Sequence, residues 1–184
     1  MLQPTYPILT KRLLLRPVRA DDAAAIYPYR SREDVCRYLL HPPQTMDDVH
    51  AFIASRRSDL TDEDQGLTVA AVERDTGAFV GDIVLIWRSR EHRAGEIGYV
   101  LNPDFQGRGY ATEASAALLR LGFDDFGLHR IFGRLDARNA ASARVLERLG
   151  MRREAHFVQN EFIKGEWTDE VVYAVLAHEW RDPS

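Results

Sequence analysis

One stretch limits what this chain can fold into more than any other: Asn102-Pro-Asp-Phe-Gln-Gly-Arg-Gly-Tyr-Ala-Thr-Glu113. An apolar run, Ile97-Gly-Tyr-Val-Leu101, leads into it, and a helical pattern from Ala114 to Phe126 leaves it. The order is therefore strand, glycine loop, helix, with the strand ending at Pro103 and the helix starting near Gly109. Gly107 and Gly109 carry no Cβ, so backbone N–H groups can turn inward and close on a ligand. A helix N-terminus adds unpaired N–H donors and a partial positive charge. Together these parts predict an anion cradle suited to a phosphate or pyrophosphate.

Three cradle patterns compete for the stretch. A Walker A loop needs Lys and Ser/Thr after its last glycine, and Tyr110-Ala111 stands there instead. A dinucleotide fingerprint needs Gly or Ala three residues after its second glycine, inside a βαβ unit; that position is Thr112. The third pattern is Gln-x-x-Gly-x-Ala, filled by Gln106, Gly109 and Ala111. It resembles the acetyl-CoA pyrophosphate loop of the GNAT acyltransferases. Asn139-x-x-Ser142, followed by an amphipathic helix ending in Leu149-Gly-Met151, is similar to that family's second signature. Thr10–Pro17 with Asp21-Asp22, and Lys164–Leu176, resemble the first and last elements of the ribosomal-protein N-terminal acetyltransferase-like (RimJ/RimL-type) branch. The resemblance covers roughly residues 8–178.

Composition excludes several other classes. A chain of 184 residues suits one domain, 1–184, with a single sizeable core. Net charge is −4 and Lys11 and Lys164 are the only lysines, which argues against a nucleic-acid partner. Cys36 is the only cysteine, so no intrachain disulfide can form. The six histidines show no ligand spacing, so no metal is expected. Met1–Pro7 has no basic-then-apolar leader pattern, and no apolar run approaches membrane-spanning length. No membrane partner follows, and the cytoplasm is the expected location.

Strand and helix patterns alternate along the chain. Strands are predicted at Arg12–Val18, Leu67–Glu73, Phe79–Trp87, Gly95–Leu101, His129–Asp136, Arg153–Ile163 and Trp167–Leu176. Helices are predicted at Asp21–Arg30, Asp34–Leu40, Thr45–Leu60 (opened by a Thr45/Asp48 capping box), Ala114–Phe126 and Ala140–Leu149. The last should bury Ala141, Val145 and Leu149 and close on Gly150. This order predicts an α/β (α+β) fold with a mixed, mostly antiparallel sheet of about seven strands and helices on both faces. The resemblance adds a splayed central strand pair.

The resemblance implies how such a chain would work. Acetyl-CoA would be the co-substrate and a primary amine the acceptor, either a protein N-terminus or a small molecule. Gln106, Gly107, Arg108, Gly109, Tyr110 and Ala111 would hold the diphosphate, with Arg108 or Arg144 pairing with phosphates. The backbone at Val100 and Leu101, together with Asn139, would bond the pantetheine arm. Glu96 is the implied base, acting through a water. Many GNAT enzymes carry a Tyr four residues before the Gly that ends the late helix, and here that position is Leu146. The resemblance to the RimJ/RimL-type branch instead implies a Ser one turn earlier, here Ser142, that would hydrogen-bond the departing sulfur or relay a proton, with capping of its own helix as the plainer role. Glu113 reads as a first-turn carboxylate. Glu161, Glu166, Asp169 and Glu170 read as a solvated hairpin turn that could draw in a cation. Trp167 and the last hairpin would build a homodimer contact by analogy with the branch. The alternative function is an acyl-CoA sensor that keeps the cradle without a competent base.

Overall fold

The computed structural model describes residues 1–183. Eight strands form one sheet in the order β1-β2-β3-β4-β5-β6-β8-β7. They are β1 (Ile8–Leu9), β2 (Leu13–Pro17), β3 (Gly66–Glu73), β4 (Phe79–Ser89), β5 (Ala94–Leu101), β6 (Arg130–Asp136), β7 (Arg152–Ile163) and β8 (Glu166–Leu176). The predicted count of about seven missed β1, a two-residue strand paired with Leu14 and Leu15. Two residues are too few to show a period of two in sequence. Neighbours run antiparallel except β5 and β6, which are parallel.

The helices are α1 (Ala23–Arg30), α2 (Glu33–Cys36), α3 (Met46–Ala54), α4 (Tyr110–Arg120) and α5 (Ala140–Arg148). They lie on both faces of the sheet, as the alternation of strand side chains requires. On β4, Ile83 and Leu85 join the main core with α4, whose Ala114, Leu118 and Leu119 are buried. Asp82 points to the other face, where Ile26, Tyr29 and Val49 of α1 and α3 form a smaller cluster.

Several boundaries moved for identifiable reasons. α3 has the predicted capping box, with Thr45 accepting from the Asp48 N–H and Asp48 accepting from Thr45. It stops at Ala54 rather than Leu60 because the chain then extends: Arg57 bridges to Leu67, and Leu60 exchanges backbone bonds with Leu2. α1 is preceded by a 3-10 turn, and Asp22, not Asp21, closes it by accepting from the Arg19 N–H at 2.7 Å. The helical run after the cradle does reach Asp125, but its last turn is π-wound. Gly122 sits there because a Cβ would lie 2.8 Å from the Ile131 side chain.

α5 buries Leu146 and Leu149; Ala141 is exposed and Val145 only half-buried, contrary to the predicted face. The position where Tyr was looked for therefore belongs to the core. Leu146 packs directly over Gly133, where a Cβ would meet its methyl groups at 2.9 and 3.0 Å.

Candidate active site

β5 and β6 pair only from Ala94 to Glu96 against Arg130 to Phe132. Beyond that they part, while β5 stays bonded to β4 as far as Leu101 and β6 to β8 as far as Asp136. The splayed central pair is thus present, with the Leu146–Gly133 contact at its fork. Backbone groups on the facing edges of the two strands lose their ladder partners there.

A cavity of about 490 Å³ opens on the α4/α5 face of this gap. Val100, Leu101, Gln106, Gly107, Gly109, Tyr110, Ala111, Asn139, Ser142 and Arg144, all expected at the site, line it. Gly107 (φ +75°) and Gly109 (φ +81°) adopt the left-handed conformation that other residues resist. The chain turns so that none of the N–H groups from Gly107 to Thr112 has an acceptor among the described residues. The Thr112 hydroxyl is buried beside them, also without a partner. Six consecutive free amides and a hydroxyl at a helix N-terminus fit a diphosphate in both charge and donor type.

Some expected residues contribute only their backbone. The Tyr110 side chain is buried and its hydroxyl donates to Glu73. Arg108 does not line the cavity; its guanidinium lies over Phe105 at 5.5 Å, and its carbonyl accepts from Arg12. Arg144 and Arg148 line the cavity and pair with no carboxylate among the described residues. Glu113 is a structural tie, accepting from Thr10 Oγ1 at 2.6 Å, the Arg12 N–H at 2.7 Å and Arg12 Nε at 2.7 Å. Those donors hold its carboxyl below the usual range against the opposing effect of burial.

A second cavity, about 400 Å³, lies on the α1/α3 face. Both cavities share Tyr38, Leu39, Tyr99, Val100, Asn139 and Ser142, so they meet at the gap. Glu96 lines the second. Its Oε2 accepts from Arg88 Nε at 2.8 Å and its Oε1 from Arg134 Nε at 3.3 Å. Each oxygen keeps a second lone pair, so orientation is fixed while acceptor capacity remains.

Asn139 caps α5: its Oδ1 accepts from the Ser142 N–H at 3.1 Å. That corrects the capping role considered for Ser142, whose hydroxyl is left at the junction of the two cavities. Tyr99 spans the gap, its hydroxyl donating to the Ser142 carbonyl at 3.0 Å. Burial pushes the Tyr99 hydroxyl well above its ordinary range.

Sequence reasoning missed much of this cavity. Glu170 is buried, and burial, with Glu161 beside it and Arg134 opposing, raises its carboxyl above the usual range. The solvated-turn reading therefore holds for exposed Glu166, paired with Arg138, but not for Glu161 and Glu170, which line the cavity. Tyr38 and Leu39 line both cavities, and Leu40 and His41 the second, in a segment that follows α2. It is tied down by Lys164, whose Nζ donates to the Cys36 and Arg37 carbonyls at 2.6 and 2.9 Å. Among the described residues no cluster of His, Cys, Asp or Glu is set to hold a metal, and no helix is long and apolar enough to cross a membrane.

The model of the acetyltransferase (GNAT) domain family matches residues 12–152. The chain belongs to the GNAT acetyltransferase family. It is 38% identical over 173 residues to the uncharacterized N-acetyltransferase YnaD of Bacillus subtilis, covering 94% of this chain and 98% of that one. The crystal structure of a GNAT-family acetyltransferase from Bacillus anthracis superposes with a TM-score of 0.85 at 34% identity, covering 94% of this chain and 99% of that one. The spermidine N(1)-acetyltransferase of Escherichia coli is 26% identical over 169 residues, 90% of this chain and 87% of that one. The chain is an acetyltransferase enzyme, and GNAT acetyltransferases use acetyl-CoA.

Proposed function

We propose that this enzyme moves the acetyl group of acetyl-CoA to the primary amine of a small molecule by direct attack in a ternary complex. Donor and acceptor would approach from opposite faces of the sheet and meet in the gap between β5 and β6. The observation that carries this reading is the pair of cavities joined at Tyr99, Val100, Asn139 and Ser142. The acceptor cavity's 400 Å³ falls in the range of small-molecule sites, which favours a small amine over a protein N-terminus.

Acetyl-CoA, when bound, supplies a thioester activated toward amines. The chain's own groups do the rest. The amides from Gly107 to Thr112 hold the diphosphate, with Arg144 and Arg148 adding positive potential. The free edge of β5 at Tyr99 and Leu101, whose main-chain groups face away from β4, offers partners to the amides of the pantetheine arm, with Val100 between them paired to Asp82. An N–H there, aimed at the acyl carbonyl, stabilises the negative charge that develops on that oxygen during attack. Holding amine and acyl group together removes much of the entropy cost of their encounter. Glu96, held by two guanidiniums, accepts the ammonium proton through a water. The Ser142 hydroxyl hydrogen-bonds the departing sulfur.

Thiol release from acetyl-CoA, followed across a panel of amines, tests the proposal; turnover with at least one small amine is expected. A sensor role is favoured by one observation, the burial of Leu146 where a Tyr would supply a proton. Tight coenzyme A binding with no turnover by any amine would decide for the sensor.

A further inference from the structure

The acceptor cavity has two walls of opposite charge. One is built by α1 and the end of α3. Buried Arg30 donates through Nη2 to both oxygens of Asp82, at 2.8 and 2.7 Å, and Asp82 Oδ1 also accepts from the Tyr29 hydroxyl at 2.9 Å. Arg56 follows α3 and lines the same cavity. It donates to the Phe52 carbonyl at 3.1 Å and to Ser55 Oγ, and pairs with no carboxylate among the described residues. The Phe52 ring gathers both guanidiniums, with Arg30 Cζ 4.0 Å and Arg56 Cζ 4.5 Å from its centroid. Asp82 alone faces two guanidiniums, which leaves this wall one positive charge in excess. Burial first, and then the nearby Arg30, lower the Arg56 pKa, with Asp82 opposing.

The other wall is built by β5, β6, β7 and β8. Glu96, Glu161 and Glu170 converge on Arg134, at 3.3, 4.0 and 3.4 Å. Arg88 adds a second guanidinium on Glu96 at 2.8 Å. Arg88 also pairs with Asp64 at 2.9 Å, so four carboxylates share two guanidiniums and this wall carries a negative excess. Asp136, also on the lining, is held by Arg138 and joins neither account.

We infer that the acceptor is a primary amine that also carries a carboxylate, an amino acid or a close relative. Its carboxylate docks at the Arg56 guanidinium on the positive wall, and its amine lies toward Glu96, Glu161 and Glu170. This deepens the proposed function and rests on it. A wall of positive excess facing a wall of negative excess suits a zwitterion, which carries both charges. A polyamine would set a second cation against Arg56, and like-charge placement is how a site rejects a wrong ligand.

The test is calorimetric titration of the coenzyme A-saturated enzyme with the common amino acids, each beside the amine lacking its carboxylate, and with spermidine. At least one amino acid should bind about tenfold or more tightly than its decarboxylated counterpart and than spermidine. Arg56→Gln should erase that preference and Arg56→Lys should retain part of it, with coenzyme A affinity unchanged in both. The inference is overturned if no amino acid binds, if the decarboxylated amine or spermidine binds as well, or if the preference survives Arg56→Gln. The titration reads binding alone. Amino-acid binding without thiol release from acetyl-CoA would defeat the transferase reading and leave this one; turnover of amines with no carboxylate preference would do the reverse.

Discussion

The two cavities are built in opposite ways. The first cavity presents consecutive free main-chain amides, Gly107 to Thr112, in one loop and the first turn of one helix. The second cavity is lined by side chains from α1, β3, β4, β5, β6, β7 and β8 and by Arg56 after α3. A ligand held by backbone demands particular residues only where conformation is unusual, so it leaves a short, dense signature. A ligand held by side chains from distant elements leaves isolated charged residues that look like surface. The first kind of site is tied to the fold; the second can change without disturbing it.

The sharpest way to separate the two halves is to strain the loop. Gly109→Val places a β-branched residue at φ +81°, which L residues of that shape rarely adopt. A Cβ at Gly109 would meet only Arg12 Nη2, at 3.5 Å, so the penalty is conformational rather than steric. Strain of about 1–3 kcal/mol, or loss of the cradle, should weaken coenzyme A binding by roughly tenfold to a hundredfold by calorimetry. Unchanged affinity would mean that the loop is not the anchor.

Glu96→Gln probes the other half. Turnover should fall by about a hundredfold while coenzyme A affinity stays put, since general base catalysis is worth about that much or more. Equal losses in both would make Glu96 a structural partner of Arg88 and Arg134.

At the junction, Asn139→Ala and Ser142→Ala should diverge. Loss of the Asn139 cap should cost about 1 kcal/mol in thermal unfolding. Ser142→Ala should leave stability unchanged and lower kcat. If Ser142→Ala destabilises and Asn139→Ala does not, the cap has been misassigned.

The smallest effect is electrostatic. Glu170 has its carboxyl pKa raised, by burial first. The folded state therefore holds that proton more tightly than the unfolded chain, so its contribution to stability falls as pH rises from the unfolded carboxylate range through the higher folded value. Thermal melts of Glu170→Gln against the parent should show the variant gaining relative stability as pH increases through that window. A difference that does not vary with pH would place Glu170 in an environment like water.

What sequence could reveal follows the same division. The strand–loop–helix unit at 97–120, the capping box at Thr45/Asp48 and the last hairpin each rest on local pattern or turn chemistry, and each is present. β1 escaped notice because two residues cannot show a period. Leu146 was legible only as a departure from the family's Tyr, and the reason, a place in the core opened by the absence of a side chain at Gly133, was not. The Arg30–Asp82 pair joins residues on α1 and β4, and Glu170 is buried only because β8 lies beside β6. No spacing in the chain encodes either contact. One signal was available: Arg56 lies just past the apolar positions of α3, with no carboxylate one helical turn before it.

Amide hydrogen exchange with and without acetyl-CoA tests the central claim most directly. N–H groups from Gly107 to Thr112 should exchange freely in the unliganded enzyme and slow markedly when acetyl-CoA is added. Saturating coenzyme binding that leaves those six amides exchanging at their original rates would contradict the account.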